Sequence, residues 1–548
     1  MKTITIIIIA LSTIPALAVT GDVVGTFATP YSCPTGLASD GKHLYLADRK
    51  SDKIYTIDPG TGTVIAQFDS PGFRPQGLTF DGIYLWLVDS EEEVILQIDP
   101  KTEITVKTIW CPAQRPGGLA WDGKYLWLAD SRTDELLQVS TEDGTTIKKI
   151  PSPSGTPTGL TFDGTYIWVS DRGADRIYMV WPETGEVILM FKAPAKYAWG
   201  LAYLDNKLYC ADYQSDSIYA IVSDDDKLYN TTDSLREIVE YTHQFRNYGP
   251  GTVTDLNIYL AVPVNSPHQR LIEPPIYKSP VEYEIVTDSW DQQVARFHFD
   301  KVKSGEMVQA SYKVVVDLFD HRYLFHPERV GRLKDIPGYI KEKYLVDNTK
   351  FAITSKTIQK AVKEAVGDET NPYWMMRKIF RYIIDHMYYE LVGGWNIAPT
   401  VLERGNGSCS EYSFVFIAMC RAAGLPARYA GSIAQRGDLA SEDEVFHRWC
   451  EVYLPKIGWL PVDPSGGDQK TPQGQANYIG HVSNRYLVTT VGGGGSEYLG
   501  WEYNSYETYR SEGVCKIYSE KLGEWSPVET PQHTEAKQKI DTSEHKMK

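Results

Sequence analysis

The first half of the chain repeats at a fixed interval, and this repeat restricts the fold more than any other feature of the sequence. Five segments share an apolar strand, a turn and a second strand ending in aspartate, and each begins 41 residues after the one before. They are PTGLASDGKHLYLAD from Pro34, PQGLTFDGIYLWLVD from Pro75, PGGLAWDGKYLWLAD from Pro116, PTGLTFDGTYIWVSD from Pro157 and AWGLAYLDNKLYCAD from Ala198. Four short antiparallel strands at a period near 40 residues are typical of one propeller blade. The repeat therefore predicts an all-β propeller over residues 19–223.

The two ends of this region predict how the propeller closes. The fifth unit stops after its third strand, SIYAIVSDDD, whereas GDVVGTFATP near the N-terminus matches the fourth-strand segments of the other units. We therefore expect the N-terminal strand to complete the last blade, which gives five blades and leaves no open sheet edge. The region resembles the propellers of the NHL-like group, and this resemblance identifies an architecture rather than a function.

One face of the predicted propeller gathers basic and aromatic side chains, although the chain has a formal net charge of −16. The loops that enter the blades and the loops that follow the repeated aspartates should both emerge there. These arginines either pair with the ring of aspartates or bind an extracellular ligand, and both interpretations remain open. The candidates for ligand binding are Tyr31, Arg74, Arg115, Arg132, Arg172 and Tyr197.

The N-terminus and the composition limit the cellular setting. Lys2, the apolar run ITIIIIALSTIPALA and the small residues around Ala18 predict a signal peptide over residues 1–18 and hence a secreted protein. No later stretch reaches the ~18 apolar residues of a membrane span, and a pI near 5.3 argues against a nucleic-acid partner. Seven scattered cysteines are an odd number and too few for a disulfide framework, so folding should depend on hydrophobic cores.

Three further regions follow the repeat. Longer alternating strands predict a β-sandwich domain over residues 224–345. Helical patterns followed by strands predict an α+β domain over residues 346–490. Residues 491–548 read as a C-terminal extension, and the tail after Trp525 has so little to bury that we expect it to be disordered. We find no set of metal ligands at matching spacing and predict neither metal nor cofactor.

A candidate catalytic triad lies in the α+β region. Cys409, in GNGSCSEYSFVFIAMCRAAGLPARYAG, opens an apolar helix whose dipole favours a thiolate, although a buried and inert thiol is the alternative for a cysteine taken alone. His447, in FHRWCEVY, and Asp463, in GWLPVDPSGGD, lie on segments that can pair as antiparallel strands. A nucleophilic cysteine needs a base and a group that orients the base, and these three residues supply that set.

These segments resemble the core motifs of the transglutaminase-like superfamily over about residues 350–490: Gly-x-Cys opening a helix, His-x-Trp-x-Glu-x-Tyr, and Gly-Trp-x-x-x-Asp-Pro. The resemblance implies a papain-like core, preceded by a β-domain, in which Cys409 is the nucleophile, His447 the general base and acid, and Asp463 the residue that holds the imidazole. It also implies an oxyanion donor upstream of the cysteine. A backbone N–H at the start of the helix can serve, and Trp395 is the candidate for a second donor, with a place in the wall of the substrate site as its alternative role.

The resulting functional prediction is a secreted cysteine enzyme that attacks amide bonds of peptides or proteins through a thioester, with the propeller as a binding module. We expect hydrolysis, as in a peptidase or amidase, because water is always present and the sequence shows no site that guides an amine. Transfer to a lysine amine, the reaction of a protein-glutamine gamma-glutamyltransferase, uses the same residues and stays an alternative. A non-catalytic extracellular adhesive or binding protein is the alternative of another class.

Overall fold

The computed structural model describes residues 18–391, 395–438 and 440–528. By its internal contacts the chain divides into two compact units, residues 1–227 and 228–548. The predicted signal peptide lies outside the described residues except for Ala18, and so does most of the tail predicted to be disordered.

From residue 18 onward, the first unit is built from twenty short strands. They are β1 (Val23–Ala28), β2 (Pro34–Ser39), β3 (Leu44–Asp48), β4 (Lys53–Ile57), β5 (Val64–Asp69), β6 (Pro75–Phe80), β7 (Leu85–Asp89), β8 (Val94–Asp99), β9 (Ile104–Trp110), β10 (Pro116–Trp121), β11 (Leu126–Asp130), β12 (Glu135–Val139), β13 (Thr146–Pro151), β14 (Pro157–Phe162), β15 (Ile167–Asp171), β16 (Arg176–Val180), β17 (Val187–Lys192), β18 (Ala198–Leu204), β19 (Lys207–Asp212) and β20 (Ser217–Val222). They form five four-stranded antiparallel sheets: β2 to β5, β6 to β9, β10 to β13, β14 to β17, and β18 to β20 together with β1.

The N-terminal strand completes the last of these sheets, as the sequence predicts. β1 pairs antiparallel with β20, so that Ala28 lies opposite Ser217 and Gly25 opposite Ala220. The edge of β20 is therefore covered by a strand from the far end of the unit.

The innermost strands of the five sheets follow one another around a closed ring. A Cβ added to Gly36 of β2 would lie 2.6 Å from Leu78 Cβ of β6, and one added to Gly200 of β18 would lie 2.9 Å from Leu37 Cβ of β2. The same close approach joins Gly77 to Leu119, Gly118 to Leu160 and Gly159 to Leu201. Only glycine allows the backbones to come this close. The arrangement is consistent with a β-propeller.

In the second unit the described residues form seventeen strands, six α-helices and two short 3-10 turns. The strands are β21 (Tyr229–Asn247), β22 (Thr252–Ala261), β23 (Gln269–Leu271), β24 (Ile276–Lys278), β25 (Tyr283–Thr287), β26 (Gln293–Val302), β27 (Met307–Tyr323), β28 (Tyr388–Tyr389), β29 (Asn406–Gly407), β30 (Ala427–Ala434), β31 (Ser441–Asp443), β32 (His447–Leu454), β33 (Gly458–Val462), β34 (His481–Val482), β35 (Tyr486–Gly492), β36 (Ser505–Glu512) and β37 (Ile517–Pro527). The helices are α1 (Gly338–Tyr344), α2 (Lys356–Val366), α3 (Pro372–His386), α4 (Ala398–Arg404), α5 (Cys409–Ala422) and α6 (Pro472–Ala476), and the 3-10 turns are Pro327–Arg329 and Leu333–Asp335.

Two sheets of this unit share one core, as expected of a sandwich. One sheet has the order β23-β27-β21-β37-β31, with β24 and β34 also on β27, and the other has the order β25-β26-β22-β36. Tyr241 and Tyr312 from the first sheet and Ile258 and Phe297 from the second belong to the same buried cluster. Each of these four side chains is fully buried.

The segment expected to be a C-terminal extension supplies one strand to each of these sheets. β37 pairs with β21 from Glu237 to Asn247, and β36 pairs with β22. Trp525 of β37 is 1% exposed in the shared core. The alternating polar residues of these strands conceal the pairing in the sequence, because only one face of each strand is packed.

A third sheet, in the order β33-β32-β30-β35, lies beside the helices. Helix α5 packs against β30 and β32 of this sheet and against α2, α3 and α4. Every residue of α5 from Cys409 to Arg421 is buried. The apolar run that identifies this helix in the sequence thus reflects a helix covered on all sides.

Candidate active site

Cys409 is the first residue of helix α5. Ser408 before it has an extended backbone, with φ −78° and ψ 174°, and so marks the start of the helix. The Cys409 side chain is 6% exposed. Unpaired N–H groups and the positive end of the helix dipole favour an anion at such a position. The local backbone therefore provides a setting in which a thiolate is stabilised.

A hairpin brings His447 and Asp463 together. Cys450 of β32 pairs with Val462 of β33, so the beginning of β32 and the end of β33 lie at the same end of the hairpin. His447 is the first residue of β32 and Asp463 follows β33 directly. His447 Nε2 lies 2.7 Å from Asp463 Oδ2, a hydrogen-bond distance. The structure thus supplies the register that the sequence leaves open.

The carboxylate of Asp463 is held from its other side. Its Oδ1 accepts hydrogen bonds from the backbone N–H of Ser465 and of Gly466, both at 3.0 Å, and from Ser465 Oγ at 2.7 Å. Because Nε2 of His447 is engaged by Asp463, Nδ1 is the ring nitrogen that remains for Cys409, whose thiol lies close enough for this imidazole to lower its pKa. The three side chains form a continuous chain of contacts.

The ionisation of the three groups follows from these contacts. Burial raises the pKa of the Cys409 thiol, but the hydrogen bond to His447 and the charge of that imidazole outweigh burial and lower it. Burial lowers the pKa of His447, whereas the charge of Asp463, its hydrogen bond and the thiol raise that pKa to about 10. The pKa of Asp463 is lowered by His447 against the effect of burial. These contacts therefore shift the pair towards a thiolate and an imidazolium.

Glu411 organises the start of helix α5, a role that the sequence analysis missed. This carboxylate is fully buried and accepts hydrogen bonds from the backbone N–H of Ser408 at 3.2 Å and of Asn396 at 3.0 Å. Arg404 Nη2 lies 3.1 Å from it and completes an ion pair. Glu411 thus ties the residue before the nucleophile to the loop that carries Trp395. The signal available in the sequence was the Ser-x-x-Glu spacing of a capping box.

Trp395, the candidate oxyanion donor, stacks on Tyr503 with ring centroids 6.4 Å apart. Both aromatic rings also pack on the guanidinium of Arg448, at 5.1 Å and 4.5 Å from their centroids. Burial is the main cause that raises the pKa of Tyr503, and the charge of Cys409 adds to it. Tyr503 therefore lies near the nucleophile.

Two cavities flank the triad. One of about 300 Å³ is lined by His447, Asp463, Trp449 and Tyr486, among others. The other, of about 380 Å³, is lined by Trp395, Phe446 and Tyr503 together with Glu444, Glu502, Glu507 and Lys521. We call the second one the acidic cavity because its lining carries three carboxylates and one ammonium group. Both are large enough to hold a side chain of a peptide substrate.

The other cysteines of this region are unsuited to catalysis. Cys420 and Cys450 are fully buried, and burial is the main cause that raises the pKa of each thiol. All seven cysteines are free thiols. Cys409 differs from these two core thiols in having an imidazole partner that lowers its pKa.

The candidates on the propeller face separate into two groups. Arg74, Arg115 and Arg172 line one cavity of about 280 Å³, to which Arg49 also contributes. Tyr31, Arg132 and Tyr197 are not part of its lining. Tyr197 instead stacks on Trp199 and lies beneath the Arg172 guanidinium, 5.4 Å away, and Tyr31 faces the ammonium group of Lys50 at 5.8 Å.

Residues 359–464 match the family model of the transglutaminase-like superfamily. This part of the chain is therefore transglutaminase-like, and it contains Cys409, His447 and Asp463. Among curated proteins, an uncharacterized protein of Haemophilus influenzae is 27% identical over 154 residues, which cover 24% of this chain and 42% of the relative. The chain thus spans less than half the length of that relative.

Two solved structures match this chain with low sequence identity and low TM-scores. A protein from Cytophaga hutchinsonii, whose name proposes a cysteine protease, is 16% identical with a TM-score of 0.38, over 55% of this chain and 99% of that one. Glutaminyl cyclase of Myxococcus xanthus is 12% identical with a TM-score of 0.34, over 37% of this chain and 97% of that one. Among the described residues, no helix combines the length and the apolar content that crossing a membrane requires.

Proposed function

We propose that Cys409, His447 and Asp463 are the catalytic triad of an enzyme that cleaves amide bonds of peptides or proteins through a thioester. The observation that carries this proposal is the chain of contacts from the Cys409 thiol to the His447 imidazole and on to Asp463, which is 2.7 Å from His447 Nε2. It lies within the part of the chain that matches the transglutaminase-like model.

In the first step the Cys409 thiolate attacks the carbonyl carbon of the amide, and the carbonyl electrons move onto oxygen. Backbone N–H groups at the start of α5 are available to stabilise the oxyanion, and Trp395 is a second candidate donor. When the tetrahedral intermediate collapses, the C–N bond breaks and the His447 imidazolium gives its proton to the leaving nitrogen. An amine or ammonia departs and the acyl group remains on sulfur.

In the second step water attacks the thioester. The neutral His447 accepts a proton from water, the C–S bond breaks, and the thiolate and imidazolium are restored together with a carboxylic acid product. Asp463 keeps the imidazole oriented throughout and stabilises its charged form. We favour this hydrolytic course because water needs no binding site of its own.

Transfer of the acyl group to a lysine amine is the second candidate, and the acidic cavity supports it. Glu444 is exposed and Glu502 is half-buried in a cavity that also includes Trp395 and Tyr503. A carboxylate-rich lining attracts an ammonium group and so suits the lysine of an acceptor protein. It equally suits a cationic side chain of a substrate that is hydrolysed.

The proposed roles of the propeller and of the N-terminal segment rest mainly on sequence patterns. The 41-residue repeat and the ring of sheets support a five-bladed, NHL-like propeller that serves as a binding module. The signal-peptide pattern of residues 1–18 supports secretion. The non-catalytic adhesive protein stays the competing function of another class.

The fate of the thioester is tested by incubating the purified chain with glutamine-containing peptides and with unmodified proteins, with and without an excess of a labelled primary amine. The products are followed by mass spectrometry. We expect new peptide termini or released ammonia with little label incorporated. Efficient labelling of glutamine side chains with intact peptide bonds would assign transfer instead.

Two variants make the test specific. Cys409→Ala should abolish turnover with any acceptor, and Cys420→Ala, which removes a buried thiol of the same helix, should keep it. If the wild-type protein turns over no substrate and its Cys409 does not react with a thiol-reactive probe, the adhesive function is favoured.

A further inference from the structure

The strongest feature outside the candidate active site is the cavity of about 280 Å³ in the first unit. It is lined by Arg49, Arg74, Arg115 and Arg172, which come from loops of four different sheets, and by Trp199 of the fifth. We call it the arginine cavity. None of its lining residues is an aspartate or a glutamate. Such a concentration of guanidinium groups is unexpected in a chain with a formal net charge of −16.

Among the described residues the five repeated aspartates form no direct ion pair with these arginines, because their carboxylate oxygens accept hydrogen bonds from their own loops. Asp48 accepts hydrogen bonds from the backbone N–H groups of Cys33, Lys50 and Ser51 at 2.6 to 3.0 Å. The other four aspartates accept backbone N–H groups of their own loops in the same way: Asp89 from Arg74, Glu91 and Glu92, Asp130 from Gln114, Arg115 and Arg132, Asp171 from Thr156, Gly173 and Ala174, and Asp212 from Tyr197, Gln214 and Ser215. The aspartates therefore fix the loops that carry the arginines.

The guanidinium groups have few partners of their own. Within the described chain, Arg49 and Arg115 form no ion pair, and Arg74 approaches Glu91 only at 3.8 Å with both side chains largely exposed. Such an exposed pair contributes little. Arg172 is held over the ring of Trp199 at 5.3 Å. The positive charge of the cavity is thus available to a ligand.

We propose that the arginine cavity binds a small anion that carries at least two oxyanion groups, carboxylate or phosphate. Guanidinium groups bind both chemistries with paired N–H donors, and four of them around one cavity match several negative charges rather than one. The volume limits the ligand to a small molecule or to the end of a larger one. This binding is independent of the catalytic proposal.

The test is isothermal titration of the full mature chain with pyrophosphate in one arm and citrate in the other, at low ionic strength. We expect binding of one equivalent of at least one of them, weakening as salt is added. Tighter binding of pyrophosphate would show that the cavity prefers phosphate groups, and tighter binding of citrate would show that it prefers carboxylates. No binding of either anion would overturn the proposal.

Matched variants locate the binding. Arg49→Gln combined with Arg115→Gln should weaken it by about a hundred-fold or more, since the loss of each charge-assisted hydrogen bond costs at least about ten-fold in affinity. Arg132→Gln removes the same charge from the same face outside the cavity and should leave the affinity nearly unchanged. Equal affinity of the double variant, or an equal loss in Arg132→Gln, would contradict the assignment. Should the double variant fail to fold, Arg49→Lys with Arg115→Lys keeps the charge and tests the paired donors. Cys409 alkylation should be normal in every variant.

Discussion

His447 Nε2 and Asp463 Oδ2 lie 2.7 Å apart at the open end of the β32–β33 hairpin. This distance fixes which nitrogen of the imidazole faces the nucleophile, because a ring bonded through Nε2 presents Nδ1 on its other side. The orientation is secured by three further hydrogen bonds to Asp463 Oδ1 from Ser465 and Gly466. The carboxylate therefore positions the base as well as stabilising its charge.

The first prediction concerns this orientation. Asp463→Asn keeps the size of the side chain but removes the charge and places an amide where the carboxylate accepted the imidazole N–H. We expect kcat to fall on the order of 10³ to 10⁴, as in other triads with this change. The control is Asp468→Asn, in the same loop as Asp463. The Asp468 carboxylate accepts a hydrogen bond from Tyr412 Oη of α5 at 3.0 Å. Comparable losses in both variants would point to general disruption of the loop.

The second prediction is the pH dependence of alkylation at Cys409. Because His447 lowers the pKa of the Cys409 thiol, the thiolate should persist below the usual titration range of a free cysteine, and alkylation by iodoacetamide should stay fast at neutral pH. His447→Ala removes the two largest effects that oppose burial, so the pKa of Cys409 rises and the rate at neutral pH falls. The measurement is the alkylation rate against pH, with the modified residue mapped by mass spectrometry. Preferential labelling of Cys420 or Cys450 would refute the assignment of the nucleophile.

Sequence patterns predicted the parts of this protein that depend on short-range periodicity. The 41-residue repeat predicted the strands of the first unit and the pairing of β1 with β20, and the apolar run after Cys409 predicted helix α5. Residues that act through distant partners were not predicted. Arg448 is fully buried with its guanidinium within 5.3 Å of four aromatic ring centroids, and nothing in its neighbouring sequence indicates those rings. The pairing of β37 with β21 was missed for the same reason.

The third prediction concerns closure of the first unit. Deleting residues 21–28 removes β1 and exposes the edge of β20, which pairs with it through five residues. We expect a lower temperature for the first thermal transition of the full chain and a greater tendency to associate. The matched control lacks only residues 1–18 and should remain monomeric. A deletion variant as stable and monomeric as this control would show that β1 is dispensable.

The fourth prediction concerns Glu411. Its carboxylate is fully buried, accepts hydrogen bonds from two backbone N–H groups and pairs with Arg404. Glu411→Ala therefore removes the partner of these donors. A buried donor left without a partner costs about 1 to 3 kcal/mol, and Arg404, with its side chain 32% exposed, can turn to water. We therefore expect a clear fall in the melting temperature together with slower alkylation of Cys409. Glu411→Gln retains acceptor oxygen and should recover part of both. If Glu411→Ala changed the melting temperature without changing alkylation, Glu411 would support the fold but not the start of α5.

The last prediction concerns what the acidic cavity selects. Glu444 and Glu502 place two carboxylates in the lining shared with Trp395 and Tyr503. Glu444 is exposed, and Glu502 is half-buried with Lys521 Nζ 3.5 Å from its carboxylate, so a bound cation would share Glu502 with Lys521. We expect wild type to prefer peptides with lysine beside the scissile amide over matched peptides with norleucine. Glu444→Gln combined with Glu502→Gln should reduce the ratio of the two kcat/KM values about five-fold, since an exposed charge pair contributes up to about 1 kcal/mol each. Glu442→Gln, an exposed carboxylate outside that lining, is the matched control. A ratio that stays unchanged in the double variant would mean that the cavity does not hold the cationic group, whereas a loss confined to amine incorporation would place the acceptor lysine there.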